Sequence, residues 1–113
     1  MFLRHWIHYY LARCHLALKR HDEAAAAYRA WFGMGMIHRE QGDNHKAVEM
    51  FKKAAELQPM NPHAFHELAM AHYALNNLDQ VRKIIKRVAE FDPKMTQQLM
   101  RETGQLPEGA PGP

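Results

Sequence analysis

The sequence is short of several things, and each shortage excludes something. Of its 113 residues only Cys14 is a cysteine, so no internal disulfide can form, and a reducing, cytoplasmic setting is the expected one. No stretch of 18 apolar residues occurs, so no membrane span is expected. The apolar start, Met1–Leu18, is broken by Arg4, His5, His8, Arg13 and His15, which does not suit a signal peptide. No strand-like alternation of useful length is present. No glycine-rich phosphate loop, nucleophile elbow or convincing carboxylate pair appears, so neither an enzyme nor a cofactor site is expected. The positive excess is small, +3 with a pI near 9.2, which falls short of a nucleic-acid footprint, and no nucleic-acid partner is expected.

What remains is helix. Turn and cap signals fall at His21-Asp22, Gly42-Asp43-Asn44, Pro59-Met60-Asn61-Pro62, Asn76-Asn77, Asp92-Pro93 and Gly104. Asn61 and Asp92 each put a capping side chain before a proline, which the first helical position tolerates. Gly104 suits a left-handed helix stop. The sequence therefore predicts helices over roughly 2–19, 22–41, 44–58, 62–75, 78–91 and 93–103, then a tail, 106–113, expected to be disordered for its prolines and glycines.

A period runs through these helices. Trp31/Phe65, Met34/Leu68, His38/His72, Ala47/Val81, Phe51/Ile85 and Pro59/Pro93 are pairs with one constant separation in the numbering, 34. Upstream, His8, Leu11, His15, Ala24 and Tyr28 precede their counterparts Trp31, Met34, His38, Ala47 and Phe51 by only 23. The first copy thus runs into the second without a connecting loop. Asp22–Gln41 holds no proline, and its alanines favour helix, so it is expected to be one continuous helix of about 30 Å. Helix 2–19 is expected to fold back on its first half and helix 44–58 to pack on its second. Those two flanking helices are together too long to lie end to end on it. Either they use different faces of the rod or the N-terminal hairpin docks elsewhere.

With Trp31-x-x-Met34-Gly35-x-x-His38, Phe65-x-x-Leu68-Ala69-x-x-His72 and His8-x-x-Leu11-Ala12-x-x-His15, the chain resembles the tetratricopeptide repeat (TPR) family. The unit of that family is a helix-turn-helix of about 34 residues. The resemblance implies an all-α solenoid over 1–105. Repeats would fall at about 5–31, 28–61 and 62–95, followed by a capping helix at 93–103. It also implies a non-catalytic protein–protein interaction module, binding a peptide or partner protein in a groove lined by the first helix of each hairpin. Carried over by position, the groove residues are Trp6, Tyr9, Arg13 and Leu16, then Arg29, Phe32, Met36 and Arg39, then His63, His66, Met70 and Tyr73. Aromatic, methionine and arginine side chains suit a partner with apolar anchors and acidic residues.

Two further expectations come from the residues. His15, His38 and His72 share one repeat position and could stack as a ladder. His5/His8 and His63/His66 have a helical i, i+3 spacing, so histidine-based metal binding is an alternative, although no acidic or cysteine ligand joins them at recognisable spacing and no metal residues are assigned. The N-terminal helix carries Phe2, Leu3, Trp6, Ile7, Tyr9, Tyr10, Leu11, Leu16 and Leu18, more apolar surface than one hairpin face can hide. A homodimer that exchanges hairpins through the long helix is the expected cover, and self-assembly is the other alternative function.

Overall fold

A computed structural model describes the backbone over residues 2–110 and side chains from Ile7 onward. Five helices follow one another: α1 (Phe2–Glu40), α2 (Asn44–Leu57), α3 (Pro62–Ala74), α4 (Leu78–Ala89) and α5 (Pro93–Thr103). No strand occurs among the described residues. Each helix packs on the next, and α3 also touches α5, which is the all-α solenoid that the repeat period implies.

The connections form where the backbone chemistry allows. Asp43 caps α2 by accepting the Lys46 N–H at 3.2 Å. Asn61 caps α3 through the His63 N–H at 3.1 Å, and Asp92 caps α5 through the Met95 N–H at 3.0 Å, each with a proline in the first turn. The two intra-hairpin turns are alike: Gly42 (φ 80°) and Asn76 (φ 61°) take the left-handed conformation at equivalent repeat positions, where glycine and asparagine are at ease. In both turns the residue that follows, Asp43 or Asn77, donates its N–H to the histidine carbonyl five residues back, His38 or His72, at 2.8 Å.

This register explains a departure from expectation. Residues 2–19 do not fold back on 22–41; both belong to α1, 39 residues long, or about 58 Å. Shifted by 23, Gly42 and Asp43 correspond to Lys19 and Arg20. Lysine disfavours the left-handed conformation and arginine cannot cap a helix as aspartate does, so the helix continues where a turn is otherwise made. With one flanking helix on the rod instead of two, the length conflict disappears. The projecting half makes the molecule long, 69 × 35 × 17 Å, with a radius of gyration of 18.7 Å against about 13 Å for a compact chain of this size.

The core lies between residues 28–40 of α1 and the other four helices. Phe51, Ile85, Leu99, Val81 and Val88 are fully buried, with Ala47, Ala54, Ala64, Ala69 and Ala71 as the small residues that admit them. Gly35 is the closest approach: a methyl group there would sit 2.6 Å from the Phe51 ring. Tyr28 stacks on Phe32 at 5.8 Å, Phe32 meets Phe51 edge-on at 5.5 Å, and the Lys53 ammonium lies 4.4 Å from the Trp31 ring centroid. The opposite face of α1 is more open. Met34 and Ile37 are 38% and 55% exposed, whereas Leu68 and Ala71, their counterparts one repeat later, are 6% and 0%.

Residues 105–110 turn back on α4: the Arg82 carbonyl accepts the Glu108 N–H at 3.2 Å, and the Arg82 guanidinium donates to Gln105 Oε1 at 3.1 Å. Residues 111–113 lie outside the described residues.

Two neighbouring glycines should respond oppositely to alanine. Gly33 faces open space, so Gly33→Ala removes a flexible residue from a helix interior and should stabilise by up to about 1 kcal/mol. Gly35→Ala gains the same propensity but drives a methyl into a fully buried ring and should cost about 1–2 kcal/mol net. Thermal and urea unfolding of the two variants against the parent reads both signs.

Candidate partner-binding face

The first helix of each hairpin presents the same positions to one side. Arg29, Phe32, Met36 and Arg39 on α1 stand one repeat before His63, His66, Met70 and Tyr73 on α3. The structure puts these eight to different uses. Phe32 and Met36 pack against the core and are not free to grip a ligand. Arg29 and His63 are exposed, Tyr73 is 42% exposed, and Met70 is half-buried.

Arg39 and His66 are tied into a polar chain across three helices. The Arg39 guanidinium pairs with Glu67 Oε2 on α3. The other Glu67 oxygen lies 3.2 Å from His66 Nδ1, and His66 Nε2 lies 2.8 Å from Glu102 Oε2 on α5. Gln98 donates to the remaining Glu102 oxygen at 2.9 Å. The Glu67 hydrogen bond, with help from Glu102 and against the pull of burial, raises the His66 pKa above its ordinary 6.5. Glu67 is lowered, first by His66 and further by Arg39, and Glu102 is lowered by Gln98 and His66. The face is therefore not a bare basic groove. Its cations are partly neutralised, and His66 is the link between two carboxylates.

Glu67 and Glu102 are the residues that sequence reasoning passes over. Neither belongs to the groove positions carried over from the repeat pattern, and their partners lie 28 and 36 residues away in the chain. The only available signal was that both distances are close to one repeat length, which sets side chains of successive first helices side by side.

The N-terminal part of the expected groove is not assembled. Tyr9 and Arg13 belong to the projecting half of α1, about 30 Å and 24 Å along the axis from Arg29. They interact with each other, with the Arg13 guanidinium 3.3 Å from the Tyr9 hydroxyl and 5.7 Å from its ring centroid. Leu16 is exposed nearby, and the Trp6 side chain lies outside the described residues. A straight helix cannot bring these positions beside α3; only the missing turn could.

The histidine ladder is likewise not built. His15 is exposed on the projection, about 34 Å along α1 from His38. His38 has a buried Nδ1 with no hydrogen-bond partner among the described residues, while His72 Nδ1 lies 3.5 Å from the Asn77 amide. Burial, then the charge of Lys52, lowers the His72 pKa. Among the described residues no three histidine, cysteine or acidic side chains converge as a metal site needs.

Stacked helix hairpins with a mixed aromatic, methionine and charged face define a helical repeat scaffold. Comparison with known proteins gives the family. A tetratricopeptide repeat model matches residues 38–101, more than half of the chain, and a second of the same description matches 6–31. The chain belongs to the tetratricopeptide repeat family. It is 24% identical over 76 residues to the BBSome complex member BBS4 homolog of Drosophila melanogaster, a match covering 67% of this chain and 16% of that protein. It is 28% identical over 67 residues to anaphase-promoting complex subunit 3 of Schizosaccharomyces pombe, covering 59% of this chain and 10% of that protein. The chain thus spans a small part of the length of either relative. No solved structure matches it. The match at 6–31 falls within α1, so the repeat pattern persists there in sequence although this stretch is one helix.

Stability should peak at mildly acidic to neutral pH. His66, raised on folding, contributes stability that is complete below 6.5 and is lost as pH climbs through its raised value. His72, lowered on folding, contributes stability that is complete above 6.5 and is lost as pH falls through its lowered value. Glu67 adds a loss at lower pH, below the ordinary carboxylate value of 4.5. Melting temperature against pH should show a maximum near neutrality; His66→Gln should flatten its alkaline side and His72→Gln its acidic side.

Proposed function

We propose that this chain is a non-catalytic interaction module that binds an extended peptide or a segment of a partner protein along the face of α1 residues 28–40 and α3. The observation that carries this reading is the set Arg29, His63, Met70 and Tyr73, accessible on adjacent first helices beside the Arg39–Glu67–His66–Glu102 chain. Arg29 forms no ion pair among the described residues and offers a carboxylate a partner. Tyr73 and Met70 offer a wide apolar contact with a polar tip, which suits an anchor residue. Aromatic, methionine and arginine enrichment with few lysines is the composition of interface cores. Both relatives are named as members of multiprotein complexes, which supports an assembly role for this one. The partner inferred is a protein segment with apolar anchors and acidic residues, met in a reducing, cytoplasmic setting that suits the single cysteine.

A second reading, self-assembly, is favoured by one observation: the projecting half of α1 leaves Ile7, Tyr9, Tyr10, Leu11, Leu16 and Leu18 about half exposed. Histidine-based metal binding has less support, because both ring nitrogens of His66 are engaged by carboxylates.

Selection from a random peptide library should enrich sequences that combine apolar and acidic residues. Arg29→Glu and Tyr73→Ala should each weaken the selected peptides about tenfold or more, about 1.4 kcal/mol, with helix content unchanged by circular dichroism. Unaltered affinity in both variants would place the binding surface elsewhere.

A further inference from the structure

We infer that Glu102 on α5 is an internal occupant of a carboxylate seat on the proposed partner-binding face, and that an acidic side chain of the partner takes its place on His66. The inference rests on the peptide-binding reading and names the point at which the partner's acidic residue is recognised. His66 Nδ1 lies 3.2 Å from Glu67 Oε1, and its Nε2 lies 2.8 Å from Glu102 Oε2. An ionised carboxylate only accepts hydrogen bonds, so the ring serves both neighbours with a proton on each nitrogen. The raised pKa of His66 agrees with that state. A cationic ring steadied on one side by Glu67 thus offers its other N–H to a second carboxylate.

The two carboxylates are held differently. Glu67 follows His66 on α3, its side chain is 16% exposed, and it is shared with Arg39 of α1. It is the fixed support of the ring. The Glu102 side chain is 35% exposed and reaches His66 from another helix. Its second oxygen is held by Gln98, one turn back on its own helix. α5 itself is anchored elsewhere: Leu99 and Thr103 are buried, and Met95 and Met100 pack against the core. The Glu102 carboxylate can therefore leave His66 by side-chain rotation and keep Gln98 as a partner, without moving the helix that carries it.

Charge decides what fills the vacated seat. With His66 protonated, Arg39, Glu67 and His66 together carry one net positive charge, and Glu102 brings the set to zero. Among the described residues no charged group of α2 or α4 lies within hydrogen-bond distance of His66, and Arg101 on α5 acts on Glu102. One carboxylate from a partner restores the balance when Glu102 turns away. An amide or an apolar side chain does not, and would leave a cation that is only 18% exposed without its counter-charge. Partly exposed ion pairs shift an equilibrium by a factor of about five at most. Glu102 is accordingly a brake on acidic partners that binding can overcome.

The test takes the full chain and two C-terminally amidated peptides: an acidic sequence enriched by the library selection, and a copy with each Asp and Glu changed to Asn or Gln. Affinities are read by fluorescence anisotropy at mildly acidic pH. Glu102→Gln should tighten the acidic peptide about twofold to fivefold and leave the amide copy unchanged. His66→Gln should weaken the acidic peptide by a similar factor. Adding Glu102→Gln to His66→Gln should then gain nothing, because competitor and seat act as one unit. Glu102 is exposed, so its variant should keep the parent's helix content, and the contrast between the two peptides stands on that variant alone. Equal tightening of both peptides overturns the seat, as does a gain that persists in the His66→Gln background. No tightening of the acidic peptide, while Arg29→Glu and Tyr73→Ala still weaken it, overturns the seat and leaves the peptide-binding reading standing. A selection that enriches no acidic peptide overturns both.

Discussion

The seating of the Phe51 ring against the bare backbone of Gly35 governs the rest of the molecule. It lets α2 lie close enough to α1 to close the first hairpin, and it carries Ala47, Ala54 and Ala55 into the core beside it. Once α2 is placed, α3 packs on its other side, α4 on α3 and α5 on α4. Burial of small residues against large ones is repeated at each joint, and interiors packed this closely tolerate little change in volume. A solenoid has no central core, so each layer depends on the one before it.

Only the C-terminal third of α1 takes part in that stacking. Helices in water draw most of their stability from packing of an apolar face and little from propensity alone. A projecting half with half-exposed leucines, isoleucine and tyrosines therefore gains little from the monomer. Its conformation follows from the loss of two residues' worth of chemistry, a left-handed residue and a cap, at Lys19 and Arg20. The straight helix and its exposed apolar side chains share this cause.

The proposed partner-binding face joins structure to chemistry in a similar way. The Arg39–Glu67–His66–Glu102 chain runs across α1, α3 and α5, the first helices of successive repeats. Charge on that face is thus partly consumed in holding the helices together. The side chains left for a ligand are fewer than a position-by-position transfer suggests, because Phe32 and Met36 serve the core.

Much was legible in the sequence. The repeat period gave the all-α solenoid, the caps at Asp43, Asn61 and Asp92 and the stop at Gly104, because capping and turn chemistry are local and need few residues to specify. The same locality misled at His21-Asp22, where a plausible cap follows a pair, Lys19-Arg20, that cannot turn. The groove was legible as a set of positions and not as a set of free side chains. Whether Phe32 faces a ligand or a ring, whether Arg39 is available or held by Glu67, and whether Tyr9 lies beside Tyr73 or far from it depend on contacts between residues distant in the chain. Which stretches are helical and which faces are apolar follows from residue order alone. Which of those faces are covered is settled by packing, since burial depends on what arrives from elsewhere in the fold.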